Sequence, residues 1–62
     1  MQFAIIETPA GRFATHRVAL FNSVFDAINF YVDSPNHNDL DIVELNDEGQ
    51  SLLDSIDHVV IG

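Results

Sequence analysis

The chain contains no cysteine and no lysine. Without cysteine, neither a disulfide nor a thiolate zinc site can hold it together. Its only Lys/Arg cations are Arg12 and Arg17, against ten acids. Phosphate contacts are made largely by Lys and Arg, so direct binding to nucleic acid is disfavoured. No apolar run approaches the roughly 18 residues needed to cross a bilayer. The first residues show neither the basic region nor the small-residue cleavage site of a secretory signal. A cytoplasmic protein with no membrane association is expected. Glycine is also sparse, and Gly11 and Gly49 stand too far apart to build a phosphate-cradling loop. Nothing resembles the strained serine turn of a hydrolase.

What is present is short and apolar. Sixty-two residues make a single domain, 1–62, and 47% of them are hydrophobic, too many for a disordered acidic tail. A chain of this size buries about 60% of the surface its unfolded form exposes, which leaves its stability marginal. Small scaffolds lean on disulfides, a metal or self-association, and only self-association is suggested here, as a homodimer. No cofactor is implied.

The net charge of −8 lies wholly in the second half. Over residues 1–32 the two arginines balance Glu7 and Asp26. Residues 33–62 carry Asp33, Asp39, Asp41, Glu44, Asp47, Glu48, Asp54 and Asp57 with no Lys or Arg. Such an asymmetry makes a directional field that favours basic partners. Acid excess with no lysine also suits a protein adapted to a high-salt cytoplasm, where the acids serve solubility alone.

Residues 2–8 (QFAIIET) read as a strand, Thr8-Pro9-Ala10-Gly11 as a turn, and 12–20 (RFATHRVAL) as the returning strand of a hairpin. A loop of two or four residues would place Phe3, Ile5, His16, Val18 and Leu20 on one face, and this register is preferred. Residues 23–33 (SVFDAINFYVD) form a helix, with Ser23 as N-cap, Asp26 in the first turn and Pro35 enforcing the stop. Two apolar stripes are expected on it, Val24–Ile28–Tyr31 and Phe21–Phe25–Ile28–Val32, with Phe30 outside both. Residues 36–39 connect to a third strand at 40–46 (LDIVELN), followed by a turn at 46–49. Residues 51–56 read as a short helix or turn, with Ser51 and Asp54 as cap pair, and 58–61 as a terminal strand. The fold class is α+β, a small antiparallel sheet of order ββαβ plus a fourth strand, packed on one helix. The far face of that sheet would expose Ile6, Phe13, Val43 and Leu45, the mark of an interface.

Catalytic chemistry finds little support. Asp39 and Asp41 would share a strand face with His37 close by, an arrangement that can bind a divalent cation or serve as an acid/base pair. No Gly-turned calcium loop accompanies them. His16, His37 and His58 do not repeat at ligand spacing, and His16 on the core face reads as a hydrogen-bonded structural residue. Ser23, Ser34, Ser51 and Ser55 read as caps or turn residues. A chain this small also offers little room for a ligand pocket of about 300 Å³ or more. No enzyme is expected, the third alternative being a metal-dependent subunit built on His37, Asp39 and Asp41.

The hairpin–helix–strand order over residues 2–46, together with the acidic bias, is similar in outline to small phage-encoded inhibitors of host RNA polymerase and to other compact acidic proteins that block nucleic-acid enzymes. That resemblance implies a non-catalytic module that inhibits or sequesters a nucleic-acid-binding protein by offering its basic surface carboxylates in place of phosphates. The acids assigned to that surface are Asp39, Asp41, Glu44, Asp47, Glu48, Asp54 and Asp57. The alternative is a structural or regulatory dimerisation module in which Phe13, Phe30, Val43 and Leu45 carry the contact and the acids keep it dissolved.

Overall fold

The computed structural model describes residues 1–9, 11 and 15–61. Its elements are strands β1 (Phe3–Glu7) and β2 (His16–Phe21), helix α1 (Val24–Asp33), strand β3 (Leu40–Glu44), helix α2 (Asp47–Ser55) and strand β4 (His58–Val60). A single 3₁₀ turn at His37–Asp39 leads into β3. The fold is α+β, with a four-stranded sheet in the order β3-β1-β2-β4. Strand β1 is central and antiparallel to both β2 and β3. The fourth strand differs from expectation, since β4 pairs with β2 in parallel and makes the sheet mixed.

The hairpin register is the main correction. Phe3 pairs with Phe21, Ile5 with Ala19 and Ile6 with Val18, which leaves an odd number of residues between Glu7 and its partner Arg17. Residues directly opposite share a face, so Phe3 and Ile5 lie with Ala19 and Phe21, while Ala4 and Ile6 lie with Val18 and Leu20. The expected grouping of Phe3 and Ile5 with His16, Val18 and Leu20 is therefore wrong by one position. The physical reason is that both faces are covered. Ala4, Ile5, Ile6, Val18 and Ala19 are all buried, as a near-continuous apolar strand demands.

Two separate clusters form the core. On one face Ile5, Leu40 and Ala27 of α1 pack with Phe3, Phe21 and Tyr31. On the other, Ala4, Ile6 and Val18 meet Leu53 of α2, with Leu20, Val43, Leu45 and Ile56 around them. The face expected to be open is thus covered by α2, and Val43 and Leu45 are half-buried against their own core. Phe13, like Arg12, lies outside the described residues.

Strands β2, β3 and β4 run the same way, so α1 and α2 are both crossover helices. The first connection passes over β1 in one direction, and the second returns across β1 and β2 in the other. Crossovers of one hand that travel in opposite directions must use opposite faces, and the strong preference for the right-handed form accounts for the three-layer arrangement.

Helix α1 follows its expected ends. The Ser23 hydroxyl accepts from the Phe25 amide at 3.2 Å, Asp26 sits in the first turn, and the Ser34 amide donates to the Tyr31 carbonyl ahead of Pro35. Its inward face differs. Ala27 is fully buried and Tyr31 half-buried, whereas Phe25 and Val32, of the second expected stripe, are 74% and 68% exposed. Small Ala27 lets α1 lie close on the sheet. Phe30, expected outside both stripes, contacts Phe21 with ring centroids 5.4 Å apart.

Helix α2 begins earlier than expected, in the segment read as a turn. Asn46, not Ser51, is its cap, accepting from the Gly49 amide at 2.8 Å, and Asp47 and Glu48 occupy the positive end of the helix dipole. Gly49 is buried because the helix starts almost on top of β3. A Cβ there would collide with the Glu44 carbonyl oxygen and lie 3.0 Å from Val43 Cγ1. Among the described residues no helix is long and apolar enough to cross a membrane.

Candidate functional site

The topology makes β3 an edge strand and sets which of its groups are free. The Leu45 amide donates to the Gln2 carbonyl at 2.9 Å and the Thr8 amide to the Asp39 carbonyl at 2.8 Å. Hydrogen-bonded pairs alternate along an antiparallel ladder, so Asp39, Asp41, Val43 and Leu45 direct their backbone towards β1. Leu40, Ile42 and Glu44 direct theirs outward. The Leu40 amide is already satisfied by the His37 carbonyl, and the Glu44 carbonyl is overhung by the start of α2. The free edge consists of both backbone groups of Ile42, the Leu40 carbonyl and the Glu44 amide.

Five acids surround that edge. Asp39 stands in the 3₁₀ turn before β3, Asp41 points to the α2 face, Glu44 to the α1 face, and Asp47 and Glu48 follow in the first turn of α2. The remaining two of the expected acidic surface are elsewhere. Asp54 lies near the end of α2, where its Oδ1 accepts from Gln50 Nε2 at 3.0 Å, and Asp57 immediately precedes β4. Strands β3 and β4 are separated by three inter-strand spacings of about 4.8 Å each. Asp57 thus stands at the edge opposite the five acids around β3, with Asp54 on the helix that links the two.

Among the described residues the salt bridge is that of Arg17 with Glu7, at 3.7 Å on the α1 face. Glu7 also accepts from Asn36 Nδ2 at 2.7 Å. None of the five acids around β3 has a basic partner within the described residues.

Beside the edge runs a trough between β3 and α2. It has two adjoining parts of about 460 and 380 Å³ that share Ile42, Val43 and Leu52. Glu48 and Asn46 border the first part, and Asp41, His16 and Ile56 border the second. The chain thus forms depressions larger than its length suggested, and both are open to solvent. Leu52 is half exposed along the trough, while its neighbour Leu53 is buried beneath α2.

Of the residues read as a metal-binding alternative, Asp39 ends the 3₁₀ turn before β3, Asp41 lies in β3, and His37 packs its ring on Tyr31 with centroids 5.6 Å apart. Among the described residues no three His, Asp or Glu side chains come together as a metal site. His16, half-buried at the start of β2, places Nδ1 3.3 Å from the Asp57 carbonyl ahead of β4, and His58 places Nδ1 3.0 Å from the Ile56 carbonyl two residues back.

The opposite edge was not singled out by residue pattern. The His16 amide donates to the Asp57 carbonyl and the Ile61 amide to the Val18 carbonyl, which leaves the backbone of His58 and Val60 facing outward. Val59, Val60 and Ile61 are each about half exposed. The run His58–Ile61, uncharged and β-branched, was a usable signal for this second edge.

Compared with known proteins, the chain matches no family model, no curated protein and no solved structure.

Proposed function

We propose that the chain is a non-catalytic binding module that inhibits or sequesters a nucleic-acid-binding protein, offering the partner's basic surface carboxylates in place of phosphates. The observation that carries this reading is the group of Asp39, Asp41, Glu44, Asp47 and Glu48 around the β3 edge, without a cation among the described residues to neutralise it. A partner's Lys and Arg side chains lose little on moving from phosphate to such carboxylates, and complementary charge speeds their encounter. The shallow trough beside the acids adds apolar contact through Leu52 and Val43. Asp54 and Asp57 lie towards the other edge and form a secondary part of the surface.

The test is competition. The immobilised protein should retain nucleic-acid-binding proteins that elute at moderate salt and are displaced by added duplex DNA. The combined change Asp39→Asn, Asp41→Asn, Asp47→Asn and Glu48→Gln should weaken that retention at least about tenfold while the circular dichroism spectrum stays unchanged. Undiminished retention by the variant rules out charge mimicry.

A second reading, a dimerisation module, is favoured by the uncharged β4 edge and the exposed Phe25 and Val32. Of the residues read from sequence, Phe13 lies outside the described residues, Val43 and Leu45 are partly buried against their own core, and Phe30, in contact with Phe21, stays 41% exposed. The β4 edge and the outer side of α1 add to that contact surface.

A further inference from the structure

We propose that β3 is a docking edge, to which an extended basic segment of a partner adds as a fifth strand. This rests on the reading of the acidic edge as the partner-binding surface and specifies how that surface binds. Three features meet there. The Ile42 amide and carbonyl, the Leu40 carbonyl and the Glu44 amide face outward, as the ladder phase requires. An added strand about 4.8 Å away engages these four groups. The trough between β3 and α2 lies on one flank of that strand, so its apolar side chains meet Val43 and Leu52. Acids stand on both sides of the edge, Asp41 and Glu48 along the trough and Glu44 on the opposite face.

Charge selects the occupant. A second copy of β3 would bring Asp41 and Glu44 against like charges, which is how edge strands are commonly kept from pairing with one another. A segment alternating Arg or Lys with Val-like residues keeps its cations on one face. With the Val-like residues over the trough, the cations lie beside Glu44, and Asp41 and Glu48 at the trough border add to the attraction through their field. The strand hydrogen bonds are blind to sequence, and the acids provide the discrimination.

The probe is an acetylated octapeptide of four Val-Arg repeats, titrated into the full chain and followed by amide hydrogen exchange. Binding should slow exchange at Ile42 and Glu44 at least about tenfold and leave Val60 unchanged. The same peptide methylated at every backbone nitrogen keeps its charge but loses its donors, and should bind at least about tenfold more weakly. Equal affinity of the two peptides overturns strand addition while leaving the charge reading intact. Full affinity of the unmethylated peptide for the Asp41→Asn, Glu44→Gln variant overturns the charge reading while leaving strand addition intact. Protection at Val60 in place of Ile42, or no binding of the unmethylated peptide, also overturns the proposal.

Discussion

At one edge of the sheet β3 reads Leu-Asp-Ile-Val-Glu, with Asp39 before it and Asp47 and Glu48 after it. At the other, β4 reads His-Val-Val and is followed by Ile61, with no charge from His58 to Ile61 apart from what His58 acquires on protonation. Both edges present unpaired backbone groups, and any edge strand is a template for another chain. The difference lies in what each admits. On the proposed reading the acidic edge repels its own copy and admits a basic strand, whereas the β4 edge, with Asp57 before it and no acid within it, carries a weaker filter. Charge would then select the partner at β3, while the half-exposed Val59, Val60 and Ile61 dominate the surface at β4.

The largest effect comes from the element that joins the two edges. Gly49→Ala forces a Cβ into the Glu44 carbonyl and lifts α2 from the end of β3. A loss of about 3 kcal/mol, read by urea denaturation, is expected from overpacking against backbone. A loss below about 1 kcal/mol would mean that α2 shifts freely and that neither edge depends on its seating. At the neutral edge, Val60→Lys should shift any self-association seen by sedimentation equilibrium at least about tenfold towards monomer. Val60 is 53% exposed, so the melting temperature should barely change. Association unaffected by this change belongs to the Phe25–Val32 side of α1.

The acidic edge yields a smaller effect on stability. Neutralising Asp41→Asn and Glu44→Gln together relieves self-repulsion, so the variant should be about 0.5 kcal/mol more stable at low salt and rise less steeply as salt is added. Parallel salt profiles for variant and parent would show that these carboxylates do not feel the field of their neighbours. The smallest change is Arg17→Ala. Its exposed pair with Glu7 should contribute less than about 0.5 kcal/mol, and a larger loss in thermal denaturation would assign Arg17 a packing role over the sheet.

The limits of what can be read from sequence follow the same division. Ser23 and Pro35 bracket α1 with local chemistry, so its ends were legible. The hairpin register was not, because Phe-Ala-Ile-Ile and Val-Ala-Leu-Phe are apolar at every position and support either parity. Only the second helix, on the far side, shows that both faces need such residues. The start of that helix was hidden by Gly49, which reads as a turn residue but is demanded by close approach to the Glu44 carbonyl. Asn46 followed by Asp47 and Glu48 was the signal for its start. The acids were visible as a composition. Their placement towards two edges was not, since it depends on β1 lying between β2 and β3 and on a crossover that passes two strands.

That crossover also bears on how the molecule opens. Strand β1 is held on both sides, and the Ala4 and Ile6 amides sit between β2 and β3 under Leu53. Strand β4 is tied to the rest by a three-residue parallel ladder with β2. Cooperative units of unequal stability are the rule in small folds. Here the short ladder makes β4 the strand expected to open first, ahead of the three antiparallel strands. A transient detachment of that kind would bare the outer backbone of β2 without global unfolding, turning a three-residue edge into a six-residue one. The three-residue ladder of β4 on β2 therefore sets how often a longer, unguarded pairing surface is exposed, and with it the tendency of the chain to exchange strands between copies.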